Sequence, residues 1–320
     1  MAVVHSFPRF RPTVASRPAS PAIPERTLLF GIAGGILSAA LYGGWAVVSK
    51  IGTTSTIDPY DLVFLRFVVA GLVLLPVALR QPVSRLGYSG IAWPKLAVLT
   101  FLSGLPYGLL VFIGFGMAPA GHGAVLLPGS IVLFSAFLAA FVVGERVSGL
   151  RQAGLVAVLG GVLVLGGGSF AHGIPGQWVG HVLFVAAGAF WAAFTVAARI
   201  WRVPAVATTA FVTVASAAIY APVYFCVAGF RLVDHQLLPL ALQAGYQGVA
   251  VGVIAVITYT KAINILGAAR ASAFTALVPA IATLLATALL GEQVTVPAIF
   301  GLALVSLGMI VSVSAGTGAK

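Results

Sequence analysis

The sequence predicts an all-α membrane protein with ten transmembrane helices arranged as two inverted five-helix repeats. Three observations carry that expectation. The first is composition. Of 320 residues, 60% are hydrophobic and 7% are charged, with a mean hydropathy of +1.11, whereas a soluble domain is about 25% charged. The second is length. Apolar runs of about 20 residues, enough to cross a bilayer as a helix, recur along the whole chain. The third is a stretch that occurs twice. Residues 121–165 lie over residues 268–312 at an offset of about 147. Gly144, Glu145 and Val147 fall on Gly291, Glu292 and Val294, and Gly154, Leu155, Val158 and Gly161 fall on Gly301, Leu302, Val305 and Gly308. Roughly a quarter of the positions match without a gap, the strength of a weak internal membrane repeat. An apolar chain matches itself often by chance, so the Gly-Glu-x-Val turn at the same place in each half is the more telling feature.

Residues 1–27 are rich in Pro, Ser and Arg and cannot bury a core, which predicts a disordered cytoplasmic tail. The apolar run that follows is too long for the core of a cleavable signal peptide; a basic, Ser-bearing tail also fits an organellar transit peptide. The ten apolar segments are 28–49, 60–79, 95–117, 122–143, 150–168, 177–198, 204–229, 237–260, 269–290 and 295–314. Connections between them are short and rich in Gly, Pro and charge. The first repeat is then 28–168 and the second 177–314.

Orientation follows from the loop cations. A cytoplasmic N-terminus puts the tail, Arg80, Arg85, Lys95, Arg146, Arg151, Arg199, Arg202, Lys261, Arg270 and Lys320 on the inner side. Only Lys50, Arg66 and Arg231 fall on or near the outer side. Both termini are therefore expected in the cytoplasm. Five helices per repeat is an odd number, so the second copy enters from the opposite face. Trp45 and Trp191 open the two halves about 146 residues apart, within the scatter of the same repeat. Inverted repeats of this kind build secondary transporters, with the substrate site between the halves. The net charge of +11 is accounted for by topology and does not call for nucleic acid. Cys226 is the single cysteine, which excludes an internal disulfide and a cysteine-built metal site.

Ionisable residues at membrane depth are costly and default to functional candidates. Arg66, about two turns inside helix 2, is the deepest fixed charge. Its planar fork suits an anionic group; the alternatives are snorkelling outward or pairing with Asp58 or Asp61. Lys50 and Lys261 close helices at opposite faces and read as anchors. His122 and His181 open helices 4 and 6 and are the candidates for proton coupling, although no Asp or Glu at membrane depth completes a relay. Glu145 and Glu292, in the Gly144-Glu145 and Gly291-Glu292 turns, read as structural, tying a helix terminus or a hinge between repeats. Each would also meet the positive end of the helix that follows.

An aromatic wall with a few polar tips is the usual lining of a small-molecule site. Tyr42 and Trp45 share a face of helix 1, and Trp191 is the repeat equivalent of Trp45. Tyr107 sits beside Pro106 and Gly108 near the middle of helix 3, where a broken helix is tolerated if it lines a cavity. Tyr246 and Gln247 lie in helix 8. These residues, with Arg66, are the candidate substrate-binding set. No catalytic residue, cofactor or metal site is expected.

The ten helices and the repeated Gly-Glu-x-Val resemble the EamA family of the drug/metabolite transporter superfamily. So does Asp-Pro-Tyr-Asp-Leu-Val-Phe-Leu-Arg-Phe-Val-Val-Ala from Asp58. The stretch from Tyr259 through Lys261-Ala262, Ala271 and Pro279 to Gly291-Glu292 is similar to that family's second half. The resemblance covers about 28–314. It implies a carrier of small organic metabolites, amino acids or related compounds among them, often an exporter, working by alternating access in the cell membrane, the inner membrane if the source is bacterial. The expected partners are a small-molecule substrate and the lipid bilayer, with the chain a monomer or homodimer. Two other readings stay open: a sugar-phosphate or nucleotide-sugar carrier of the same superfamily, and a non-transporting membrane protein. An intramembrane enzyme lacks its paired acids, metal motif or nucleophile–base pair. An ATP-driven pump lacks the GxxxxGK[ST] loop.

Overall fold

In a bilayer every backbone N–H and C=O must be satisfied within the chain, and this chain meets the demand with helices. The computed structural model describes residues 24–316 apart from 56, 145–146, 173–174, 230–231, 233–235, 268–270 and 272–273. Glu145, Arg146, Arg231, Arg270 and residues 1–23 thus lie outside the described residues. The helices are α1 Glu25–Thr54, α2 Pro59–Leu79, α3 Trp93–Ser103, α4 Leu105–Met117, α5 Ala120–Leu138, α6 Gly149–His172, α7 Gln177–Ile200 and α8 Ala205–Ala228. They continue with α9 Leu237–Gln243, α10 Val256–Leu266, α11 Leu277–Leu290 and α12 Val296–Gly316. Wide, π-type turns extend α5 over Ala139–Val143 and join α9 to α10 over Ala244–Ala255.

Eight spans among the described residues are long and apolar enough to cross a membrane, and the chain is a multi-pass membrane protein. The pairs α3–α4 and α9–α10 each count as one span. Two shorter apolar helices, Leu277–Leu290 and Val296–Ser312, occupy the last two of the ten expected segments. In the ninth segment the described helix starts at Leu277, after a turn at Ala276.

Local chemistry sets where helices start and stop. Asp58 caps α2 by accepting from the Tyr60 N–H, Asp61 reaches back to the Asp58 N–H, and Pro59 fills the first position, where no N–H is needed. The third predicted segment is broken at Gly104. Pro106 cannot donate to the carbonyl a turn before it, so α4 restarts with Pro106 in its first turn. Gly144 and Gly291 end α5 and α11 in the same left-handed conformation, φ 74° and 66°, which glycine adopts without a Cβ clash.

Lipid is as apolar as a side chain, so these helices associate through close packing more than through expulsion of water. The tightest backbone approach joins α6 to α12. A Cβ on Gly154 would stand 2.8 Å from the Gly308 carbonyl oxygen, and one on Gly308 2.6 Å from that of Gly154. Gly161 and Gly301 face each other in the same way, at 2.6 Å and 3.0 Å. The two helices therefore run antiparallel, with small residues letting the backbones touch. Elsewhere α1 packs on α11 and α10, and α7 packs on α5 and α4, while α2 lies against α8. Large apolar side chains such as Phe30, Leu79 and Phe141 point outward, as lipid contact allows.

Before α3 the chain makes a small hairpin, β1 Gly87–Tyr88 with β2 Ile91–Ala92. Ser89 and Gly90 both have positive φ, 50° and 78°, the conformation of a two-residue type I′ turn. Tyr88 is buried with Ile91, Leu96 and Ala207, and its hydroxyl donates to the Ala78 carbonyl at 3.1 Å. The hairpin marks one end of the bundle, where Lys95 also lies over the Trp201 ring at 5.5 Å. At the opposite end α1 and α4 finish, and α2, α5 and α7 begin.

Candidate functional site

Arg66 sits on the third turn of α2, facing α1. Its guanidinium carbon is 4.9 Å from the centre of the Trp45 ring, a cation–π distance. Tyr42 and Tyr107 lie close enough for their hydroxyls to interact electrostatically with it. Its Nη1 is buried and makes no hydrogen bond among the described residues. Leaving such a donor unmet costs about 1–3 kcal/mol, more for a charged group. Asp58 and Asp61 are engaged elsewhere: both serve the start of α2, and the Tyr224 hydroxyl donates to Asp61 Oδ1.

The aromatic residues pack around that charge. Trp45 is 7% exposed, meets Phe112 and Phe115 edge-on at 6.2 and 6.0 Å, and donates its Nε1–H to Gln247 Oε1 at 2.8 Å. Tyr107 is 5% exposed and lies 4.9 Å from Trp191, which in turn contacts Phe194. Tyr42 and Trp191 are half-buried and pack on the same core. Tyr42, Trp45, Arg66, Tyr107 and Trp191 are thus brought together by α1, α2, α4 and α7, two of which open the two halves.

Tyr246 and Gln247 belong to the back of this wall. The Tyr246 hydroxyl donates to the Leu41 carbonyl at 3.0 Å. Gln247 is fully buried; it accepts from Trp45 and donates to Ser49 Oγ and Gln243 Oε1. Gln243 donates to the Val48 carbonyl at 2.8 Å. The π-type turns of Ala244–Ala255 aim these amides at α1, and the network fixes Trp45 in place. Gln243 was not singled out in the sequence; its spacing of four from Gln247 on one helical face was the available signal.

A second polar cluster lies at the end of the bundle where α5 and α7 begin. His122 Nδ1 and His181 Nε2 are 3.0 Å apart. Gln177 Nε2 lies 3.1 Å from His122 Nδ1 and 3.5 Å from His181 Nε2. Gln177 precedes His181 by one helical turn, a pairing the sequence reading passed over. The Glu292 carboxylate accepts the Ala120 N–H at 2.8 Å and the Gly121 N–H at 3.1 Å. These are orphan donors of a helix start. Glu292 therefore meets the positive end of α5, in the other half of the chain, and not that of α12, which follows it. Lys50 donates to the Phe115 carbonyl at 3.0 Å, with Thr53 Oγ1 on the same oxygen at 3.2 Å. That carbonyl has no helical partner because the residue four ahead is Pro119, which carries no N–H. Lys50 thus completes a helix end.

The model of the EamA-like transporter family matches residues 29–167 and again residues 178–314. The chain belongs to the EamA-like transporter family. An uncharacterized transporter of Clostridium kluyveri is 24% identical over 287 residues, which is 87% of this chain and 91% of that one. A protein of known crystal structure aligns with a TM-score of 0.55 at 23% identity, over 90% of this chain and 96% of that chain. At that identity the likeness speaks to the fold. This EamA-like chain is thus a membrane transporter by family, and the paired matches fall on the two halves that share the Gly-Glu turn.

Proposed function

We propose that the chain is a secondary transporter that moves small organic metabolites with an anionic group, amino acids and related carboxylates among them, by alternating access, with export as the working direction. The observation that carries this reading is the buried, unpartnered Nη1 of Arg66 inside an aromatic enclosure. A substrate carboxylate would accept from that donor while its apolar body lies against Trp45, Tyr107 and Trp191; Tyr42 supplies a hydroxyl, and Tyr246 and Gln247 hold the wall.

Ten helices in two inverted repeats complete the reading. Its support is the α6–α12 contact. Gly154 faces Gly308 and Gly161 faces Gly301, while the repeat maps 154 onto 301 and 161 onto 308. Each contact is thus the image of the other, as across a two-fold axis. Because the equivalent helices run antiparallel, that axis lies across the helices, which is the symmetry of an inverted repeat. With loop cations inside, both termini face the cytoplasm of a cell membrane, and the Glu292 end faces outward. A sugar-phosphate carrier would want further cations at the site; Lys50 is bound to the Phe115 carbonyl.

The test is uptake and efflux of a pooled set of labelled amino acids, aromatic carboxylates, organic cations and neutral sugars in proteoliposomes. Enrichment of anionic or zwitterionic members is the expected result. Movement confined to cations or neutral sugars, or of nothing in the pool, counts against the reading.

A further inference from the structure

The histidine pair goes beyond substrate recognition. Gln177 Nε2 is an amide donor, so at 3.1 Å it makes His122 Nδ1 an acceptor. Gln177 Nε2 lies nearer to that nitrogen than to His181 Nε2, at 3.1 against 3.5 Å, and this shorter contact assigns His181 Nε2, 3.0 Å from the same Nδ1, as the N–H donor. In the neutral pair His181 carries its proton on Nε2 and leaves Nδ1 bare. That Nδ1 is buried and has no hydrogen-bond partner among the described residues. A lone pair is therefore held open at the seam between α5, from the first half, and α7, from the second.

We propose that His122 and His181 form a proton-binding latch that couples this transporter to a pH gradient. The proposal rests on the carrier reading above and names its coupling ion. One proton binds at His181 Nδ1 and gives an imidazolium whose new N–H has no acceptor where it stands. A buried charge without a partner is costly, and the cost is relieved when α7 parts from α5 and lets water reach the ring. Proton binding and opening of this end are then one event. The pair sits at the first turn of α5 and the second of α7, and Arg66, on the third turn of α2, lies about 5–7 Å deeper. Opening here exposes the Arg66 site to the side the proton came from.

The other charged groups at this end hold the latch in context. From α1 comes Lys50, bound to the Phe115 carbonyl and interacting with Glu292. From the α11–α12 turn comes Glu292, bound to the start of α5. The described parts of α4, α11 and α12 bring no titratable group here, and the side chain of His172, at the end of α6, lies outside the described residues. Lys50 and Glu292 oppose one another in sign, so the histidines are the groups left to gain charge when water reaches this end.

The test is hydrogen exchange of the full chain in lipid nanodiscs at about pH 8 and about pH 5, corrected for intrinsic rates. The expected result is about tenfold faster exchange at the first turns of both α5 and α7 at the lower pH, abolished in His122→Gln and His181→Gln. Opening at α7 is informative because Glu292 is bonded to α5 and, among the described residues, not to α7. Equal protection at both pH values, or an unchanged response in the glutamine variants, overturns the latch whether or not liposomes take up substrate. Should the variants fail to fold, 15N spectra of histidine-labelled wild type decide. Two independent neutral rings that never share a proton overturn the proposal, and a bare His181 Nδ1 that gains a proton on acidification supports it. A pH-dependent latch without uptake of any pooled compound counts against the carrier reading and leaves the latch standing.

Discussion

Glu292→Ala removes both acceptors from the start of α5 and leaves the Ala120 and Gly121 N–H groups without partners. Each bond joins an N–H to a carboxylate at 2.8 or 3.1 Å, and a hydrogen bond to a charged group contributes about 1.5–3 kcal/mol. The site is half-buried, so the low end of that range applies to each bond, giving about 3 kcal/mol for the pair with the helix dipole included. At 1.4 kcal/mol per factor of ten, local opening of the first turn should be favoured about a hundredfold. Glu292→Gln keeps one acceptor oxygen and loses the charge, so about tenfold is expected. Amide exchange at Ala120 and Gly121 in nanodiscs reads this directly. The first turn of α2, capped by its own Asp58, should not change. Exchange at α5 that stays within about threefold of wild type in the alanine variant would refute the assignment of Glu292 as a clamp between the halves.

Gly161→Val places a branched side chain where a Cβ alone comes within 2.6 Å of the Gly301 carbonyl; overpacking of about 2 kcal/mol or more should appear as lost monodisperse yield and a lower Tm. Trp45→Phe deletes the Nε1–H bond and strands Gln247 Oε1 in a fully buried network; a loss of about 1–3 kcal/mol in thermal stability is expected. Tyr107→Ala opens the face against Trp191 and should raise KM for an aromatic carboxylate at least about tenfold while leaving insertion intact; failure to insert would assign Tyr107 to packing alone.

Much of the scaffold is legible in the sequence. The Gly144 and Gly291 echo marks two left-handed helix ends because only glycine takes that conformation freely. The echoes at 154, 161, 301 and 308 mark where two backbones touch, since no larger residue fits between carbonyls. Arg66 stood out because a charge that deep demands a reason. Less could be read where the answer lay in a distant partner. A carboxylate in a turn does not reveal which helix start it will cap, and Glu292 caps one from the other half. His122 and His181 are 59 residues apart, and only packing of α5 on α7 brings them together. The hairpin rested on a Ser-Gly pair inside a charged loop, and the π-type turns that aim Gln247 leave no pattern in an apolar run. Local chemistry is written in local sequence; contacts between halves are set by the packing of whole helices.

The central claim is that Arg66 recognises an anion, and paired substrates test it most directly. Uptake of an aromatic carboxylate and of its neutral amide would be compared in proteoliposomes for wild type and Arg66→Gln, with insertion verified. A lost bond to a charged group of about 1.5–3 kcal/mol corresponds to about a 10- to 150-fold fall in apparent affinity. The account predicts that fall for the carboxylate alone, so that the variant no longer prefers it to the amide. Undiminished carboxylate transport by the variant, with the wild-type preference intact, would contradict it.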